Sequence, residues 1–134
     1  MPFIETNDHV QIYYEIHGEG KPLFMLPGWT CSTKFWKHNV PELSKHFKVV
    51  LMDMRGHGES EKVMHSHRIS RYAMDVKNLL DALDLKDVTV LGWSMGASIL
   101  WSYIELFGNH HIDSLICVDQ SPAQYVKPDW PWGQ

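Results

Sequence analysis

The residues best placed for chemistry are Gly92-Trp93-Ser94-Met95-Gly96. A short β-branched run, Val88-Thr89-Val90-Leu91, leads into them, and an apolar segment of helical character follows at once. A G-x-S-x-G pattern between a strand and a helix marks a sharp turn, which strains the serine backbone and lifts its hydroxyl above the strand end. Gly92 and Gly96 suit that turn, because a side chain at either place collides with the neighbouring chain. A helix starting at the serine also aims unpaired N–H groups, and the positive end of its dipole, at any anion that develops there. The chemistry implied is nucleophilic attack by Ser94, with backbone donors holding the charge that results.

The elements that must position this turn can be read in order. Phe3-Ile4-Glu5-Thr6 and Val10 to Ile16 are rich in strand formers, with Asn7-Asp8 between them, and predict an antiparallel hairpin. Gly18 to Pro22 reads as a loop and Leu23-Phe24-Met25-Leu26 as a buried strand ended by Pro27-Gly28. Phe35, Trp36, Val40 and Leu43 fall near helical spacing over 34–46, with Pro41 ending a turn or kinking the helix. Phe47 to Met52 is another buried strand, and 61–68 a polar surface loop. From Ser70, a candidate N-cap, the stripe Tyr72, Ala73, Val76, Leu79, Leu80 and Leu83 predicts a helix. After the serine, Ala97, Leu100, Tyr103, Ile104 and Phe107 give the next helix a buried face, with Gly108 as its stop. Ile112 to Asp119 predicts a sixth strand, with Cys117 buried in it. Strands alternating with helices after an opening hairpin predict an α/β fold: a mostly parallel sheet with helices on both faces.

Composition narrows the class. A chain of 134 residues is one domain's worth, and 44% hydrophobic with 21% charged residues suits an ordinary globular core. A net charge of −4 argues against a nucleic acid or an anionic membrane as partner, since either favours a basic face. Two cysteines, Cys31 and Cys117, make no disulfide framework and suggest a reducing compartment. With neither a signal-peptide pattern nor an apolar run of membrane length, the expected location is the cytoplasm.

Three separated stretches resemble the α/β-hydrolase superfamily: Leu26-Pro27-Gly28-Trp29-Thr30, Asp53-Met54-Arg55-Gly56-His57-Gly58-Glu59-Ser60, and the turn at Ser94. The resemblance is to the N-terminal half of a serine esterase or haloperoxidase-like member. It implies that residues 1–122 form strands one to six of the core and that 123–134 begin a connection to a cap that is absent. It implies a Ser-His-acid triad whose acid and histidine follow Ser94 in the chain. It further implies an oxyanion hole made by the backbone N–H groups of Trp29 and Met95. Pro27 stands where many members carry histidine, which alters how the loop is held but leaves a backbone donor in place. The reaction implied is acyl transfer, without cofactor or metal, on a small acyl substrate.

The triad partners are less well defined. The resemblance places the histidine beyond the last strand of a longer chain, and nothing here occupies that place. Asp119, at the end of the sixth strand, is the candidate acid, because some members place it there; it could equally cap the turn into Gln120-Ser121-Pro122. His57 reads as part of a turn and packing motif before it reads as a base. His65 and His67 have a metal-like spacing but lack a third ligand, and His110 and His111 read as loop or helix-end residues. Cys31 reads as a small packing residue near the oxyanion loop. Trp29, Trp36 and Trp93 line either a pocket or the core. Two functions follow: the nucleophilic portion of a serine hydrolase, inactive without its remainder, or a non-catalytic truncated module kept for binding or assembly. The sixth strand, left as an apolar edge, is expected to pair with a second copy or with the missing C-terminal half.

Overall fold

A computed structural model describes residues 2–118. The hairpin forms as β1 (Phe3–Glu5) and β2 (Gln11–His17), antiparallel with Ile4 opposite Ile12. β2 then pairs antiparallel with β4 (Phe47–Met52), and β4 pairs parallel with β3 (Lys21–Leu26). β3 pairs parallel with β5 (Val88–Trp93), and β5 with β6 (Ile112–Val118). The sheet order is β1-β2-β4-β3-β5-β6. β3 starts two residues earlier than its apolar run, because Lys21 and Pro22 already pair with Phe47 and Lys48. A proline is tolerated there, close to the start of a strand.

Alternation along the central strands builds two cores. Phe24, Leu26, Val50 and Met52 face one side with Val88 and Val90. Leu23, Met25, Val49 and Leu51 face the other and pack on Trp36. Each sign of the pleat therefore needs its own cover. The first face is covered by α2 (Ile69–Ala82) and α3 (Met95–Phe107). α2 buries Tyr72, Ala73, Val76, Leu79 and Leu80, as its apolar stripe predicts, and α3 buries Ala97, Ile99, Leu100 and Tyr103. Gly108 ends α3 with φ 66°.

The second face is covered by less regular chain. The expected helix over 34–46 is two pieces, a single 3₁₀ turn at Thr33–Trp36 and α1 (Val40–Leu43). Pro41 has no N–H to give to a helix running in from 37, and its ring would strike the preceding turn; it fits only the first turn of a new helix. Ser70 is not the cap of α2. The helix starts at Ile69, and Arg68, in extended backbone, holds the cap position without a side-chain bond.

β6 departs most from expectation. Apart from Ile112 and the half-buried Leu115 it is exposed, with Ile116 at 45% and Val118 at 41%. Cys117 is exposed rather than buried, its sulfur meeting the indole N–H of Trp101 at 3.1 Å. It lies on the last strand of the sheet, where among the described residues nothing pairs with its outer edge. The boundary at 122, the stretch 123–134 and Asp119 lie outside the described residues.

Among the described residues, Arg55 and Asp75 form a fully buried ion pair. Arg55 grips Asp75 of α2 (2.7 and 2.9 Å) and Asp8 of the hairpin turn (2.9 Å twice), with Arg71 also reaching Asp75 at 2.8 Å. The paired forks satisfy the guanidinium and tie hairpin, helix and the loop after β4 together. Its partners raise the pKa of Arg55 against the opposing effect of burial. The Arg55 hydrogen bond holds the Asp8 carboxyl well below the usual carboxylate range.

Candidate active site

β5 runs straight into the serine turn. Ser94 has φ 55° and ψ −122°, a conformation that costs a non-glycine residue about 1–3 kcal/mol. The surroundings hold it there. Its N–H bonds to the carbonyl of Val118 at 3.1 Å, and its own carbonyl accepts from Ala97 N–H at 3.0 Å. A Cβ on Gly96 would lie 2.2 Å from the Leu26 carbonyl oxygen, and one on Gly92 would lie 2.5 Å from Ala97 N. Both glycines are thus required by close approach of backbone to backbone, one against β3 and one against α3.

The loop after β3 comes alongside. A Cβ on Gly28 would fall 3.1 Å from that of Ser94. Cys31 N–H closes a turn onto the Gly28 carbonyl at 3.2 Å, and Thr30 takes φ 67°. Among the described residues, no backbone carbonyl takes the N–H of Trp29. Met95 is the first residue of α3, so its N–H has no place in the helix ladder. Trp29, in the loop after β3, and Met95, at the head of α3, thus lie just beyond the ends of two neighbouring strands, β3 and β5.

Asp53 fixes this arrangement, and sequence reasoning assigned it no role. Its carboxylate accepts from Thr33 N–H and from Glu59 N–H, each at 2.7 Å, and so joins the loop after β3 to the loop after β4. Gly58 closes on it with φ 49°, and a Cβ there would lie 2.0 Å from the carboxylate. Burial pushes the Asp53 carboxyl up, against the two backbone donors that pull it down. An acidic residue between the apolar Met52 and Met54 at a strand end was the available signal. Ser60 completes the loop, donating to the Asp53 carbonyl at 2.6 Å and accepting from Tyr13 N–H at 2.8 Å.

His57 is buried in that loop. Its Nδ1 lies 3.0 Å from the Arg55 carbonyl, and its ring meets Trp29 and Tyr72 edge-on at 5.3 and 6.3 Å. With Trp29, Thr30, Gly56, Gly58 and His67 it lines an open depression of about 360 Å³. Among the described residues, no histidine is hydrogen-bonded to the Ser94 hydroxyl. The three tryptophans divide: Trp29 is 58% exposed, Trp36 is buried in the second core, and Trp93 stacks on Phe35 at 4.6 Å. Cys31 is half-buried in the loop beside Gly28. His65 and His67 are not brought together as ligands; His67 bonds the Val63 carbonyl and the Tyr72 hydroxyl, and His65 the Ser66 hydroxyl. A group with metal-ligating potential lies elsewhere, at Asp81, His110 and His111. Among the described residues, no helix is long and apolar enough to cross a membrane.

Comparison with known proteins agrees with this geometry. The family model described as "alpha/beta hydrolase fold" matches residues 21–133. The AB hydrolase superfamily protein YisY of Bacillus subtilis (strain 168) is 31% identical over 98% of this chain and 50% of its own length. The non-heme chloroperoxidase CPO-A1 of Kitasatospora aureofaciens is also 31% identical, over 96% of this chain and 47% of its own. Among solved structures, an esterase from Exiguobacterium antarcticum superposes with a TM-score of 0.93 at 28% identity, covering 98% of this chain and 50% of its own. The chain spans about half the length of the curated relatives it matches.

Proposed function

The chain belongs to the alpha/beta hydrolase fold family, and we propose that it carries the nucleophilic part of a serine hydrolase acting on an ester or related acyl substrate. The observation that carries this reading is Ser94, held at φ 55° at the head of α3, beside a Trp29 N–H that no backbone carbonyl among the described residues takes and a Met95 N–H outside the helix ladder. Nothing in packing alone requires a serine in so strained a place, whereas a nucleophile gains exposure from it.

In the proposed mechanism, Ser94 Oγ attacks the acyl carbonyl while a general base takes its proton. The N–H groups of Trp29 and Met95 hold the oxyanion; losing one such donor typically lowers the rate by about 10²–10³. The base returns the proton to the departing alcohol, and water then releases the acyl group by the same steps in reverse. Asp119 remains the candidate orienting acid. We assign the base to a segment outside residues 2–118, because among the described residues no histidine is hydrogen-bonded to the Ser94 hydroxyl, and His57 is buried edge-on between the rings of Trp29 and Tyr72. On this reading the 134-residue chain alone has negligible ester turnover.

A second reading, a non-catalytic module of the same fold, is favoured by one observation: among the described residues no base meets Ser94. One experiment separates the two. Residues 1–118 joined to the second half of the Exiguobacterium esterase should hydrolyse short-chain p-nitrophenyl esters, and Ser94→Ala should reduce the rate by at least about 10³. A folded chimera whose turnover is equal with and without Ser94 supports the non-catalytic module.

A further inference from the structure

At the end of the sheet opposite the serine turn, where β5 and β6 begin, three ligating side chains converge. Asp81 stands in the last turn of α2, and His110 and His111 lie in the loop from α3 to β6. One donor atom from each lies within 4.8 Å of the others. The two histidines border an open hollow of about 480 Å³.

His111 is the fixed member. Its side chain is only 9% exposed, with Nδ1 2.6 Å from the Leu85 carbonyl and Nε2 2.6 Å from Asp81 Oδ1. Both neighbours are acceptors, and a neutral imidazole has one N–H to give. The carbonyl can only accept, so it takes Nδ1–H, which leaves the Nε2 lone pair aimed at a carboxylate. Only a cation between them, a proton or a metal ion, makes that contact favourable. A carbonyl holding Nδ1–H is also how metal-ligating histidines are commonly oriented through the opposite nitrogen.

The surroundings fix the other members. Asp81 uses its second oxygen on Lys77 at 2.8 Å, which keeps Oδ1 turned toward His111. Tyr103, buried on α3, donates its hydroxyl to the His110 carbonyl at 2.9 Å and so ties the loop backbone to the core. The exposed His110 ring has its centroid 4.1 Å from that of His111. Tetrahedral zinc, with bonds of about 2.0–2.2 Å, separates its ligands by about 3.3 Å. The Asp81–His111 contact need open by only a fraction of an ångström, and the surface-exposed His110 side chain has to swing in.

We propose that Asp81, His110 and His111 form a site for a divalent cation of zinc type, completed by water. Two imidazoles and one carboxylate suit zinc better than calcium or magnesium. The site is structural: it staples the end of α2 to the start of β6, the strand whose far end bonds Ser94 N–H. Its existence does not depend on the hydrolase reading.

The test is calorimetric titration of the EDTA-treated chain with zinc sulfate, paired with thermal unfolding. The expected result is one equivalent of zinc bound in the micromolar range, with a higher unfolding temperature. His110→Ala and Asp81→Asn, both surface changes, should weaken binding by at least about tenfold, while His65→Ala with His67→Ala should leave it unchanged. Absence of saturable zinc binding, meaning a proton alone joins Asp81 and His111, would overturn the proposal. So would binding of equal strength in His110→Ala.

Discussion

At the scale of single residues, the serine turn was legible because its requirements are local: two glycines, a strand before and a helix after. The structure gives Ser94 the strained backbone that this pattern calls for. Asp53 and Arg55 were present in the sequence as a motif, yet their work was not legible. Arg55 finds Asp75 20 positions away and Asp8 47 positions away, separations that no local pattern encodes. This network predicts acid sensitivity. The unfolded chain protonates Asp8 near about pH 3.9, whereas in the folded chain its carboxyl stays ionised to lower pH. Its contribution is therefore complete above that range and is lost as pH falls through the window below it. Asp8→Asn should be less stable at pH 7 by roughly 1–2 kcal/mol, and the gap should narrow as pH falls below 4. Urea melts at a series of pH values check this. A gap that stays constant to pH 3 would remove Asp8 from the account.

At the scale of elements, all six strands and both long helices were legible from periodicity, since alternation and the 3.6-residue stripe report burial directly. The ends were not. Pro41 divides a helix that apolar spacing alone made continuous, and α2 starts one residue before Ser70. Arg68 occupies the cap position in extended backbone without a side-chain bond to the first turn. A short oxygen-bearing side chain there would satisfy an N–H that is otherwise left to solvent. Arg68→Ser should accordingly stabilise the chain by about 0.5–1 kcal/mol, visible as a rise in unfolding temperature. An unchanged or lower temperature would show that the exposed first turn of α2 does not need the cap.

At the scale of the whole molecule, the sheet ends in two different edges. β1 is short and polar at Glu5, whereas β6 is seven residues long and exposes Ile116 and Val118. An exposed apolar edge without lysine or proline invites another strand. The 134-residue chain should thus sediment at micromolar concentration as a dimer or larger species, with the amides of Ser114 to Val118 protected from exchange. A stable monomer with those amides exchanging freely would contradict this. The exposure of Cys117 was not legible from its apolar neighbours, because a strand's burial depends on what flanks it rather than on its own residues. The central claim concerns Ser94, and its most direct test is labelling by a fluorophosphonate, followed by peptide mapping of the chain joined to the second half of the Exiguobacterium esterase. The predicted result is one phosphonylated peptide, bearing the label on Ser94 and absent from Ser94→Ala. A folded chimera left unlabelled, or labelled equally in Ser94→Ala, would contradict the account.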